Sequence, residues 1–81
     1  MEIRQCCNNK CVIVYHKGKS YLFSYGTLIL SRDQKNRLWR HFNNRELLSL
    51  TTIRHVHEFG WVSPKNKNVR DQIMAINYKG E

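Results

Sequence analysis

The apolar residues change their spacing partway along this chain. From 11 to 42 they come in short β-branched and aromatic runs divided by polar turns, and from 50 to 59 they recur at helical intervals. A segment that alternates every second residue lines one side of a strand; one that repeats every three or four residues lines one side of a helix. Strands followed by helix is the pattern of the α+β class.

In the strand half, "CVIVYH" (11–16) reads as a strand, and "KGKS" (17–20) as a tight turn whose Gly18 supplies a positive φ. "YLFSYGTLIL" (21–30) reads as one second strand completing a hairpin. Its even and odd positions are both largely apolar, so alternation does not choose the core face. Gly26 falls mid-strand, where a glycine marks a bulge or a close backbone approach. "SRDQKN" (31–36) is a polar turn, and "RLWRHF" (37–42) is a third strand alternating Leu38, Arg40 and Phe42 with Arg37, Trp39 and His41. "RELL" (45–48) is either a short fourth strand or the lead into a helix.

That helix is expected over about 50–59, with Ser49, Thr51 or Thr52 as its cap and Gly60 as its stop. At about 100° per residue, Leu50, Ile53, Val56 and Phe59 fall on one half of the cylinder with Thr52 close by, and Thr51, Arg54 and Glu58 fall on the other. Val69, Ile73 and Ile76 repeat at helical spacing in 68–77, although Arg70, Gln72, Met74, Ile76 and Tyr78 would serve a strand. The expectation is a single domain over 1–81. Three to four antiparallel strands within 11–48 pack against one helix, a second C-terminal helix or strand follows, and the ends at 1–10 and 78–81 are loose. A chain of 81 residues buries only about 60–65% of its unfolded surface. No run is long and apolar enough to span a membrane, and "MEIRQCC" has no basic segment leading an apolar one. A soluble protein of a cell's cytoplasm is expected.

Two histidines, His55 and His57, would suggest a metal pair, but on a helix they point about 200° apart. Metal-binding helical pairs sit four residues apart. Cys6, Cys7 and Cys11 crowd into "CCNNKC" with neither the number nor the spacing of a zinc site. Their odd count, without a leader, argues against a disulfide framework. Cys11 is expected as a small buried residue, and Cys6 and Cys7 as reduced thiols. No paired carboxylates occur, and no nucleophile sits beside a base by spacing. Catalytic residues, metals and cofactors are therefore not expected, and neither is an enzyme.

Lys and Arg number 14 against six Asp and Glu, a net charge of +8. Such an excess suits a polyanionic partner or plain solubility. The cations concentrate at Arg32, Lys35, Arg37, Arg40 and Arg45, and again at Lys65, Lys67 and Arg70. A strand that interleaves Arg with Trp39 can grip phosphates and stack a base on the ring. The opposing reading puts Trp39 in the core and the arginines on a solvated edge that discourages sheet-to-sheet pairing.

Ser24, Tyr25, Thr27 and Ile29, followed by Ser49, Thr51, Thr52, His55 and Phe59, resemble a group of short uncharacterised proteins of phages and mobile elements. These share a Ser-Tyr-x-Thr-x-Ile strand and a Ser-x-Thr-Thr-x-x-His helix start. The resemblance covers about half the chain, and Leu47 and Leu48 stand where the group often carries an aromatic. It implies a phage or mobile-element origin and a strand–strand–helix unit, with no activity to carry over. On the residues alone, Thr51 and Thr52 serve as caps and His55 bonds a sheet carbonyl to lock the helix in place; the alternative is a binding role for His55.

Two functions follow as expectations. One is a small non-enzymatic nucleic-acid-binding protein, for DNA or RNA. The other is a phage effector that covers an acidic surface of a host protein, such as a nuclease defence system; a chain at +8 does not mimic nucleic acid.

Overall fold

In a computed structural model describing residues 2–6, 10–61 and 68–79, five antiparallel strands follow one another across a single sheet. They are β1 (Glu2–Cys6), β2 (Cys11–His16), β3 (Lys19–Ser24), β4 (Thr27–Arg32) and β5 (Leu38–Arg40). Two-residue turns join the central three. Lys17 and Gly18 both adopt positive φ, at 52° and 79°, and Tyr25 and Gly26 repeat the same pair of values. Left-handed backbone at both central residues is the hairpin turn whose twist matches that of the flanking strands.

The second turn corrects the expectation of one long strand over 21–30. Gly26 is not a mid-strand bulge but the second residue of a hairpin turn. The bulge lies further on: Leu22 opposes Leu30 while Phe23 opposes Leu28, so Ile29 is the extra residue. Ile29 and Leu30 are consequently both buried, although consecutive strand residues ordinarily point to opposite faces.

β1 corrects a second expectation, that of a loose start. "EIRQC" shows no alternation, but its backbone pairs along the whole of β2, from Glu2 opposite Tyr15 to Cys6 opposite Cys11. Glu2 and Arg4 put charge on this edge strand, which discourages further pairing. Cys11 is fully buried, as expected, and disulfide-bonded, against the expectation from the odd cysteine count. Cys7 lies outside the described residues.

The chain then leaves the sheet through a single 3₁₀ turn, Arg45–Leu47, capped by Asn44, so "RELL" is neither a strand nor α-helix. α1 (Leu50–Glu58) starts at Ser49, whose Oγ accepts the Thr52 N–H at 3.2 Å, and stops at Gly60 with φ +99°. Its buried residues are Thr52, Ile53, His55 and Val56, with Phe59 just after. Leu50, expected among them, is 72% exposed. The reason is angular. Leu50 and Phe59 are nine residues apart, about 180° around the helix, and the buried arc centres on Thr52, Val56 and Phe59. α2 (Val69–Met74) is a helix, capped by Asn68, which removes the strand alternative for this segment.

One apolar cluster joins the parts. Cys11, Ile13, Leu22, Ile29 and Leu30 come from the sheet, Ile53, Val56 and Phe59 from α1 and its end, and Ile73 from α2, with Phe42 and Leu48 between them. Both helices therefore pack on the same face of the sheet. Near the C-terminal end, Tyr78 bridges Arg40 in parallel, and the Lys79 N–H donates to the Arg40 carbonyl at 2.8 Å; 80–81, expected loose with them, lie outside the described residues.

Phe59→Ala is expected to lower stability by about 3–5 kcal/mol and Ser49→Ala by about 0.5–2 kcal/mol. Leu50→Ala should stay within about 0.5 kcal/mol of the parent. Urea unfolding of the three variants checks the assignment; a Leu50 effect larger than that of Phe59 would put the buried face of α1 elsewhere.

Candidate nucleic-acid interface

Side chains directly opposite one another on antiparallel strands share a face. Arg4, Ile13, Leu22, Leu30 and Arg40 form one such row across all five strands, and it faces the helices. The row beside it, Ile3, Val14, Tyr21, Ser31 and Trp39, faces the other way. Val12, Phe23 and Leu28 align on that same face one step along. Most of these are half-buried, and Ile3 is 62% exposed. Among the described residues, neither helix covers this face.

Its cations gather at one end. Gln34 Nε2 donates to the Lys17 carbonyl at 2.8 Å, which sets the β2–β3 turn beside the β4–β5 loop. Lys17, Lys19, Lys35 and Arg37 are all exposed there. Asp33 organises the loop by accepting the backbone N–H groups of Lys35 at 2.9 Å and Arg37 at 2.8 Å, and Trp39 Nε1–H at 3.2 Å. The Arg37 N–H, more than any other contact, holds the Asp33 carboxyl below its ordinary range, so this loop anchor stays ionised. The Trp39 ring is flanked by the Arg37 guanidinium at 5.6 Å and the Lys79 ammonium at 5.7 Å. An arrangement of this kind can hold anions along the rim and a flat ring system on the face.

The structure divides the cations expected to act together. Lys35, Arg37 and Trp39 share this rim. Arg32 lies toward the helices, its guanidinium 5.0 Å from the Phe59 ring centre and donating to the Phe59 carbonyl at 3.3 Å. Arg40 is buried and donates to the carbonyls of Ile76 and Phe42 and to Asn43 Oδ1, so it ties the C-terminal segment to β5. Arg45 pairs with Asp71 at 2.9 Å, and Arg70 Nε donates to the Leu48 carbonyl at 2.7 Å. Lys65 and Lys67 lie outside the described residues. Sequence reasoning missed Lys17, Lys19, Lys79, Tyr21 and Phe23. The odd-position alternation of Tyr21 and Phe23 was visible, but nothing local said which face would stay open.

The hydroxyls and histidine of the motif lie elsewhere, between helix and sheet. Ser49 Oγ donates to Thr52 Oγ1 at 3.2 Å, Thr52 Oγ1 lies 3.2 Å from Ser24 Oγ, and Ser24 Oγ lies 2.7 Å from His55 Nδ1. Each hydroxyl has one proton to give. Passed in that order, the last arrives at Nδ1 and leaves the imidazole as its Nε2–H tautomer. His55 thus bonds a side chain of β3, not the backbone carbonyl expected. Ser24 and His55 are both buried, and His55 Nε2 has no hydrogen-bond partner among the described residues. The Tyr25 ring stands 5.7 Å away, tilted by 48°. Thr51 is not the cap. His57 turns outward and stacks on Trp61, so the two histidines face apart. Among the described residues, no three of His, Cys, Asp and Glu come together to hold a metal ion.

Fold and site together describe a small α+β protein whose sheet is covered on one face and carries a basic rim beside the other. Residues 1–75 match the family of unknown function DUF8033, and the chain belongs to that family. The match runs well beyond the half of the chain that the motif resemblance covered. No curated protein and no solved structure matches it.

Burial pushes His55 below its ordinary value, with a small opposing pull from Glu58; burial likewise lowers His41, helped by the Lys79 charge. Unfolded, both would take up protons at about pH 6.5. The folded state then binds fewer protons than the unfolded one, so stability is full above that pH and declines as pH falls below it. The urea midpoint at pH 5.5 is expected to lie below that at pH 7.5. Equal midpoints would mean that His55 accepts a proton inside the fold.

Proposed function

We propose that this chain is a small, non-enzymatic nucleic-acid-binding protein that works chiefly through charge. The observation that carries the reading is the Trp39 ring with Arg37 and Lys79 both within cation–π distance, beside the exposed rim of Lys17, Lys19 and Lys35. Cations in such a row neutralise phosphates and release their counterions, which is the main source of affinity in weakly sequence-specific binding. The net charge of +8 supports this. The motif resemblance supports an origin in a phage or other mobile element, and with it action in the cytoplasm of a host cell.

A second reading has its own observation. Leu47 and Leu50 are exposed close together in sequence, beside Arg45 and Arg54, on the helix side. An apolar pair among cations suits an acidic surface of a host protein such as a defence nuclease.

Log K for a random oligonucleotide is expected to fall linearly with log salt. Four or five phosphate contacts predict a loss of roughly a hundredfold between about 50 and 200 mM. Lys19→Ala, Lys35→Ala and Arg37→Ala should each lower the slope by about one. Arg45→Ala and Arg70→Ala, which lie on the helix side away from the rim, should leave the slope as it is. Fluorescence anisotropy at several salt concentrations checks this. No binding to DNA or RNA at the lowest salt would pass the function to the host-protein reading.

A further inference from the structure

The face that no described helix covers is not merely basic at its rim. It presents three aromatic rings. Tyr21 and Phe23 lie two residues apart on β3, the middle strand, and Trp39 lies on β5 in the same cross-strand row as Tyr21. Strand geometry puts Tyr21 and Phe23 about 7 Å apart, and Tyr21 and Trp39 about 10 Å apart, two strands over. Those separations let each ring carry a base of its own. Between Tyr21 and Trp39 stands Ser31, a small residue whose hydroxyl is 2.6 Å from His41 Nε2. The His41 imidazole thus lies against the buried Ser31 at the gap between the two rings.

A single domain of this size has a core to fill, yet it leaves Ile3, Val12, Val14, Tyr21, Phe23 and Trp39 only half-buried or exposed on a second face. Apolar surface left together in this way, and rimmed by polar groups, marks an interaction site. Charge selects the occupant. The turn end offers Lys17, Lys19, Lys35 and Arg37, and its nearby acid, Asp33, is already engaged by the loop. A second copy of the chain would bring another +8, whereas a polyanion would neutralise the rim.

Shape then selects among polyanions. A duplex is read by an element that enters a groove, and the face of a sheet has no such projection. In a duplex the bases are also stacked on each other, so the rings would have nothing to meet. In a single strand the bases are free to lie on aromatic side chains while phosphates follow the cations.

We propose that this face binds single-stranded in preference to duplex nucleic acid, with bases stacked on Tyr21, Phe23 and Trp39 and the adjoining phosphates held at the Lys17–Arg37 end. The proposal rests on the nucleic-acid reading above and adds to it the strandedness of the ligand and the residues that select it.

The test measures anisotropy of the full chain with labelled oligo(dT), oligo(U) and a random-sequence DNA duplex at low salt. Single strands are expected to bind at least tenfold tighter than the duplex. The oligo(dT) and oligo(U) arms separate a DNA ligand from an RNA one. Tyr21→Leu and Phe23→Leu keep an apolar residue on the sheet and remove the ring, and each is expected to weaken single-strand binding about tenfold. Tyr21→Phe and Phe23→Tyr keep a ring and are expected to retain it. One measurement needs no variant of the face: in Trp61→Phe protein, the emission of Trp39 should be quenched by oligo(dT) and unchanged by the duplex. Equal affinity for duplex and single strands, or an unquenched Trp39, overturns the inference while leaving the nucleic-acid reading in place. Absence of binding to all three ligands removes both. Self-association that the leucine variants abolish, with oligonucleotide binding intact, would assign the face to a second copy and also overturn the inference.

Discussion

The hairpin turns at Lys17–Gly18 and Tyr25–Gly26 set the register of β2, β3 and β4, and register decides which side chains meet the helices and which do not. Side chains alternate with a period of two, so a slip of one residue would exchange the faces. With these turns, Ile13, Leu22 and Leu30 meet α1 and α2 while Val14 and Tyr21 turn away. Left-handed backbone at a tyrosine is unusual. Here it closes a two-residue loop in which Tyr25 N–H donates to the Lys10 carbonyl at 2.8 Å and the ring comes to rest near His55.

The helix is held to that face by a buried polar relay as well as by packing. Ser49 starts α1, Thr52 and His55 lie on its inner side, and Ser24 answers them from the end of β3, just before the Tyr25–Gly26 turn. Buried hydroxyls and an imidazole are costly unless they bond one another. The relay therefore fixes where along the sheet α1 can sit. Ser24 and His55 are both buried, and their 2.7 Å contact joins the hairpin to the helix.

The positive charge falls into two groups that composition does not separate. Arg32, Arg40, Arg45 and Arg70 each bind a carbonyl or a carboxylate that holds one part of the chain to another, and they are spread around the helix side. Lys17, Lys19, Lys35, Arg37 and Lys79 are exposed and hold no distant part of the chain together; the ion pair of Arg37, with Asp33 at 3.7 Å, stays within its own loop. The guanidinium groups, planar and rich in donors, suit the internal bonds. The lysines, compact point charges on flexible stems, remain at the sheet's turn end.

Local pattern determined a good deal. The change from period two to period 3.6, the Ser49 cap and the Gly60 stop were enough for the α+β class, for α1 and for the strands within 11–16 and 37–42, while the Val69–Ile73–Ile76 spacing favoured a helix but left a strand open. These features act between neighbours in sequence, so they can be read there. Trp39 and Arg37 were visible as an interleaved pair for the same reason. What needed the tertiary structure depends on distant partners. β1 is a strand because β2 offers it a pairing edge, although "EIRQC" carries no alternation of its own. Gly26 reads as a mid-strand bulge or close approach until Thr27–Arg32 folds back on β3 and makes it part of a turn. Arg40 and Arg37 look alike in sequence, yet one is buried by the returning residues 76–79 and the other is exposed. Above all, Tyr21–Phe23 and Leu22–Ser24 were equal candidates for the core, because both sides of that strand are apolar. The choice between them was made by α1, which covers one side and leaves the other open.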